Sequence, residues 1–190
     1  MTENYLKYKK FAATFGRGGV DEGALGYAGS AISKERDALE EFYQVLEFEG
    51  FISVVGLFSL DIIGLRELAG AQEGWGLVMR DGELRPDTVN WNENWVVFGD
   101  RNGDALFYDK SDGSVHGSVG KRHNYRLADT LPAFFDALAA SMDLESNEYN
   151  WETLDRIEEV LPQFLTDCRA VLSEYLDDQN VASFIDFFFG

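Results

Sequence analysis

One cysteine, two histidines and three prolines are all that 190 residues contain of these types. A lone Cys168 excludes an internal disulfide framework and every cysteine-pair zinc motif. It has Arg169 and Arg156 as its near cationic neighbours in sequence, which is little to activate a thiol. It therefore reads as a core or half-buried helix residue. The histidines, His116 and His123, sit in a stretch that reads as a polar loop, and no spacing forces either of them onto Asp104 or Asp109. There is no Gly-x-Ser-x-Gly and no His-Glu-x-x-His. No uninterrupted apolar span approaches the length of a bilayer crossing, and the N-terminal MTENYLKYKKF lacks a signal-type apolar core. A cytoplasmic protein is the expectation.

Positive charge is the other scarcity. Sixteen Lys and Arg face 34 Asp and Glu, for a net charge of −18. That balance repels phosphate backbones and anionic membrane surfaces. It leaves two readings, plain solubility or the steering of a basic partner. The excess is uneven: −3 over residues 1–50, −5 over 51–142 and −10 over 143–190.

Apolar residues are plentiful, at 45%, with 15 Phe, 8 Tyr and 4 Trp. Such a chain can bury a core and is not disordered. The length fits one domain with an appendage. Asn4–Phe15 predicts a short helix. Gly16–Gly29 holds six glycines and reads as a loop, with neither a P-loop nor a dinucleotide fingerprint. Ser33 can cap a helix over Lys34–Glu47 whose apolar face is Leu39, Phe42, Tyr43 and Leu46. Phe51–Phe58 reads as strand with a break at Gly56, Asp61–Ala69 as a helical turn, and Trp75–Met79 as strand before an Asp81-Gly82 turn.

The clearest local signal runs from Asn94 to Val115. Trp95–Phe98 and Ala105–Tyr108 are apolar runs separated by Gly99-Asp100-Arg101-Asn102-Gly103-Asp104, a hairpin signature. Asp100-x-Asn102-x-Asp104 matches half of an EF-hand loop. Ala105 and Ser111 then occupy the positions that need glycine and glutamate. Side-chain turns explain these aspartates equally well. No catalytic residue, metal site or cofactor is assigned. Trp75, Trp91 and Trp95 are expected to serve the sheet core and its edge rather than a sugar platform.

Beyond Ser141 the apolar period lengthens. Trp151, Leu154, Ile157, Val160, Leu161, Phe164, Leu165, Cys168, Val171, Leu172, Tyr175 and Leu176 predict an amphipathic helix or helical pair, kinked or restarted at Pro162. The terminal Phe187-Phe188-Phe189 is expected to dock on the body of the protein or on a second copy, which leaves a homodimer open. The fold expected is α+β: a central, mostly antiparallel twisted sheet flanked by helices (residues 1–142) with an acidic helical extension (143–190).

Several of these segments carry a resemblance. Trp95–Gly99, Gly103-Asp104, Ala105–Asp109, Gly113 and Val115 follow the strand–turn–strand pattern of the SUKH (Smi-one/Knr-four-like) superfamily. Leu57-Phe58-Ser59-Leu60 with Ile62 or Ile63 is similar to a step of that family. So is a helix over Leu127–Ala140 with Leu131, Phe134, Phe135 and Leu138 on its apolar side. The resemblance spans about Leu39–Ala140. No Leu-Pro precedes the 34–47 helix, and the glycine-rich stretch and the extension depart from the pattern.

What the resemblance implies is a non-enzymatic immunity protein that neutralises a cognate polymorphic or contact-dependent bacterial toxin, such as a nuclease. An acidic inhibitor suits a basic phosphate-binding surface. Two acidic groups are candidate contacts: Asp100, Asp104, Asp109 and Asp112 in the turns, and Glu152, Asp155, Glu158 and Glu159 in the extension. A regulatory scaffold of the same superfamily is the alternative, and an enzyme of unknown type comes after it.

Overall fold

The computed structural model describes Tyr8, Phe11, residues 26–27 and residues 37–190. The helix expected over 4–15, the glycine-rich segment 16–29 and the Ser33 cap lie outside these residues, apart from Tyr8, Phe11, Gly26 and Tyr27.

Ten strands and five helices are described. They are β1 (Gly26–Tyr27), α1 (Ala38–Val45), β2 (Leu46–Glu47), β3 (Phe51–Val54), β4 (Leu60–Ile63), α2 (Leu68–Ala71), β5 (Leu77–Arg80) and β6 (Glu83–Pro86). The chain continues through β7 (Trp95–Arg101), β8 (Asp104–Asp109), β9 (Val115–Val119), β10 (His123–Ala128), α3 (Leu131–Asn147), α4 (Pro162–Leu172) and α5 (Asp178–Phe189). The central sheet has the order β10-β9-β8-β7-β4-β3, and every neighbouring pair is antiparallel. The small pairs β1–β2 and β5–β6 stand beside it. The α+β class is as the sequence predicts.

The β7–β8 hairpin forms for local reasons. Asn102 and Gly103 take φ of 54° and 91°, the paired positive values of a primed turn whose twist matches its strands. The Asp100 carboxylate accepts from the Gly103 N–H at 3.0 Å. Val97 pairs with Phe107 and Gly99 with Leu106, so Phe98 is the extra residue of a bulge. Phe98 is thereby turned onto α3, where its ring lies 6.4 and 6.3 Å from those of Phe134 and Phe135. β7 outruns β4, and the Gln72 carboxamide fills the gap. It donates to the Val97 carbonyl at 2.9 Å and accepts the Val97 N–H at 3.1 Å, as a strand would.

The sheet buries two unequal faces. The larger carries Ile52, Leu60, Ile62, Phe98, Leu106 and Leu127 against α1, α3 and α5, with Tyr8 and Phe11 in the same core. The smaller carries Val97, Ala105 and Phe107 under Trp75, Trp91 and Trp95. Those tryptophans serve the sheet, as expected. Helix α3 starts at the Thr130 cap, is buried on most of its circumference, and runs unbroken through residues 142 and 143. α4 packs on α3, and α5 packs on β10. Phe187 and Phe188 are buried within their own chain, so of the two docking places considered, the body of the protein takes them. Arg101 donates to the Phe188 carbonyl, and its guanidinium lies 5.8 and 5.7 Å from the Phe187 and Phe188 ring centroids. A cation thus sits on the C-terminal turn of α5, where the helix dipole favours it.

The helix expected over Lys34–Glu47 ends at Val45, because Leu46–Glu47 pair as strand with Gly26–Tyr27; five further expectations need correction. Leu60–Ile63 is strand, not helical turn: it alternates buried and half-buried between β3 and β7. His116 and His123 lie on β9 and β10, not in a loop. Leu127 and Ala128 end β10, so the helix after them begins only at Leu131. The strand at Phe51 stops at Val54, and a short helical turn takes Gly56–Phe58. Finally, residues 148–161 are irregular, not helical, with a single bridge between Leu154 and Val160. The Asp155 carboxylate accepts the N–H groups of Ile157 and Glu159 at 2.8 and 3.0 Å. Such a side chain offers the backbone an alternative to helix. Pro162 then starts α4 as a first-turn residue.

Candidate functional site

The acidic residues singled out from the sequence separate into two regions. Asp104 opens β8 and Asp109 closes it. At ~3.3 Å per residue their backbones are roughly 17 Å apart. Asp100 and Asp104 therefore belong to one end of the sheet, Asp109 and Asp112 to the other.

At the far end the aspartates are occupied structurally. Asp109 accepts from the Trp95 indole at 2.8 Å and from the Ser111 N–H and hydroxyl at 2.8 and 2.6 Å. Burial pushes its carboxyl up, but these hydrogen bonds outweigh it and leave the carboxyl below its ordinary range. Asp112 accepts the Ser114 hydroxyl, and Arg126 bridges Asp112 and Asp129 at 2.9 and 2.8 Å. The Ser114 hydrogen bond above all, with Arg126, holds Asp112 at about 2.

His116 completes this line, its Nε2 2.7 Å from the Ser114 Oγ and its ring stacked on Phe107. Here the hydroxyl stands between acid and imidazole. Nucleophilic activation needs the imidazole in the middle. Burial, then the nearby Arg126, lowers the affinity of His116 for a proton. The arrangement ties the β8–β9 turn to the sheet. Ser114, fully buried, is the member that sequence reasoning missed, because nothing in its neighbourhood marks one serine among many.

Cys168 is buried against Ser141, its Sγ 3.7 Å from the Oγ, and burial pushes its thiol up to about 11. Among the described residues no three His, Cys, Asp or Glu side chains are placed to hold a metal ion, and no helix is long and apolar enough to cross a membrane.

Three clefts stand out, and neither histidine lines any of them. The largest, about 930 Å³, lies on the tryptophan face between α2 and residues 86–96, with Trp91 and Trp95 in its wall. Asp87, 3% exposed, anchors its rim. Lys121, from the β9–β10 turn, reaches across to the Asp87 carboxylate at 2.9 Å and the Trp75 carbonyl at 2.7 Å. The Lys121 hydrogen bond, then Asn90, lowers the Asp87 carboxyl from 3.8 to about 2. Its contribution to stability is thus complete above pH 3.8 and is lost as the pH falls towards 2. Lys121→Met is expected to be destabilising at neutral pH, with a deficit against wild type that shrinks over that window. Thermal midpoints measured across a pH series check this, and a pH-independent deficit contradicts it.

The other two clefts share Gly56. One, about 370 Å³, holds Asp61 and Asp100 with Ser53 and Asn102. The other, about 510 Å³, holds Glu145, Trp151, Glu152, Thr153 and Leu154. The structure therefore brings Asp100 and Glu152 to adjacent clefts. Glu158 and Glu159 lie exposed on the same 148–161 loop, while Asp155 spends its carboxylate on the loop's own backbone. The loop also exposes Trp151, Leu154 and Ile157, at 41%, 45% and 71%. Glu145, a residue that sequence reasoning passed over, is 1% exposed at the base of this region.

No protein-family model, no curated protein and no solved structure matches this chain.

Proposed function

We propose that this chain is a cytoplasmic, non-enzymatic protein-binding module of the SUKH type: an immunity protein that neutralises a cognate bacterial toxin with a basic surface, such as a nuclease. The observation that carries the reading is the 148–161 loop. Trp151, Leu154 and Ile157 are each exposed on it, and Glu152, Glu158 and Glu159 are exposed on the same loop. Exposed large apolar side chains among charged ones are the materials of a protein–protein interface. A net charge of −18 supplies the field that steers a cationic partner onto it. Asp61 and Asp100 extend the acidic surface past Gly56. The turn aspartates Asp109 and Asp112, already engaged by Ser111, Ser114 and Arg126, are the weaker contact candidates.

The test is calorimetric titration of the full chain with toxin-like domains encoded beside its gene, at low and at high salt. A basic domain that binds tightly at low salt, with affinity falling as salt rises, supports the reading. Binding confined to housekeeping proteins favours the regulatory scaffold instead.

A further inference from the structure

We infer that the cleft between the Gly56–Phe58 turn and the 148–161 loop is a seat for one basic side chain, arginine or lysine, of the partner protein. This rests on the reading of the chain as a protein-binding module, and it names the anchor of that interface.

The argument starts with Glu145. Its Oε1 accepts the Leu57 N–H at 2.9 Å and the Thr153 hydroxyl at 3.3 Å. Its Oε2 is buried and has no hydrogen-bond partner among the described residues. No Lys or Arg forms an ion pair with it there. A buried carboxylate of this kind is costly unless a cation or further donors reach it. The carboxylate packs directly on the turn: Gly56 has φ +79°, and a Cβ on it would stand 2.5 Å from Oε2, so only glycine leaves room for the carboxylate there. Gly56 and Glu145 both line the cleft.

The walls suit a cation with an apolar stem. The Trp151 backbone N–H donates to the Glu145 carbonyl at 3.0 Å, which fixes the backbone of residue 151 beside the last turn of α3. Trp151 and Leu154 offer exposed apolar surface, and Glu152 adds a second carboxylate. A guanidinium or ammonium can lie on the indole face while its charge meets the carboxylates. Two carboxylates with no third ligand beside them make a metal ion a poor occupant.

The probe is an acetylated, amidated pentapeptide of four glycines around a central arginine, with its citrulline counterpart as the uncharged control. Each is titrated into the isotopically labelled full chain, and the amides of Leu57 and Thr153 and the Trp151 indole are followed by NMR. The arginine peptide is expected to move all three signals to saturation, and the citrulline peptide to bind about tenfold more weakly. Glu145→Gln, which keeps the Oε1 acceptor, should weaken the arginine peptide several-fold. Glu83→Gln, a charge removed from the exposed strand β6, should not.

Equal shifts with both peptides, absent shifts, or an unchanged affinity in Glu145→Gln overturn the inference. Its failure is distinguishable from that of the functional reading. If a toxin domain binds but Glu145→Gln and Trp151→Ala leave its Kd within about twofold, the module stands and the seat falls. If the arginine peptide docks while no toxin binds, the seat stands and the toxin reading falls.

Discussion

Phe188→Ala is expected to lower the thermal midpoint by roughly 6–20 °C. The estimate takes about 3–5 kcal/mol for truncating a buried phenylalanine and about 2–4 °C per kcal/mol for a domain of this size. The ring is 1% exposed and lies edge-on to Phe58 and tilted on Phe184, with centroids at 5.4 and 4.6 Å. It also lies under the Arg101 guanidinium. Its loss opens a cavity where α5, the Gly56–Phe58 turn and the end of β7 meet. The neighbouring Gly117 shows how close the fit is, since a Cβ there would overlap the Phe187 ring. Phe189, only partly buried, should cost less on truncation. Differential scanning calorimetry of the two variants checks the order. A Phe188→Ala shift below about 3 °C, under 2 kcal/mol on the same scale, would mean that α5 is not part of the cooperative core.

Gly56→Ala is expected to destabilise by about 3 kcal/mol. A left-handed backbone costs about 1–2 kcal/mol for alanine. The added Cβ also forces the Glu145 carboxylate off the Leu57 N–H, a charge-assisted hydrogen bond of about 1.5–3 kcal/mol. The two sites are in contact, so their effects must couple. Combining Gly56→Ala with Glu145→Ala removes the clash. The double variant should then be more stable than the sum of the single effects predicts, by about 1 kcal/mol or more. Denaturant unfolding of the four proteins closes the cycle. Strict additivity would mean that the carboxylate does not press on Gly56.

These two contacts also mark where the sequence stopped being legible. The β7–β8 hairpin could be read because its cause is local: Asn102-Gly103 supplies both positive φ values between two apolar runs. The apolar face of α3 could be read because Leu131, Phe134, Phe135 and Leu138 repeat at helical spacing. β4 could not, since four residues of Leu-Asp-Ile-Ile fit a helical turn and a strand equally well until β3 and β7 flank them. The 148–161 loop misled for a physical reason. Trp151, Leu154, Ile157 and Val160 keep a helical interval, yet the Asp155 carboxylate takes two of the loop's N–H groups, and the Trp151 and Leu161 N–H groups donate to the Glu145 and Thr153 carbonyls, which holds the backbone in another shape. Three of the four apolar residues then face solvent instead of a core.

Of the candidate contacts, charge alone gave Asp100 and Glu152, which the fold brings near Gly56, and also Asp109 and Asp112, which it holds at the other end of β8. Composition cannot tell an engaged carboxylate from a free one. Glu145 had no signal at all: in a chain with 34 acidic residues, a buried one looks like the rest.

The measurement that tests the central claim most directly is the activity of a candidate toxin nuclease domain on its nucleic-acid substrate, titrated with the full chain. The account predicts inhibition that reaches completion near one equivalent at low salt, weakens as salt rises, and weakens further when Glu152, Glu158 and Glu159 are replaced by glutamine. Undiminished nuclease activity in the presence of excess chain, across every toxin-like domain encoded beside its gene, would contradict it.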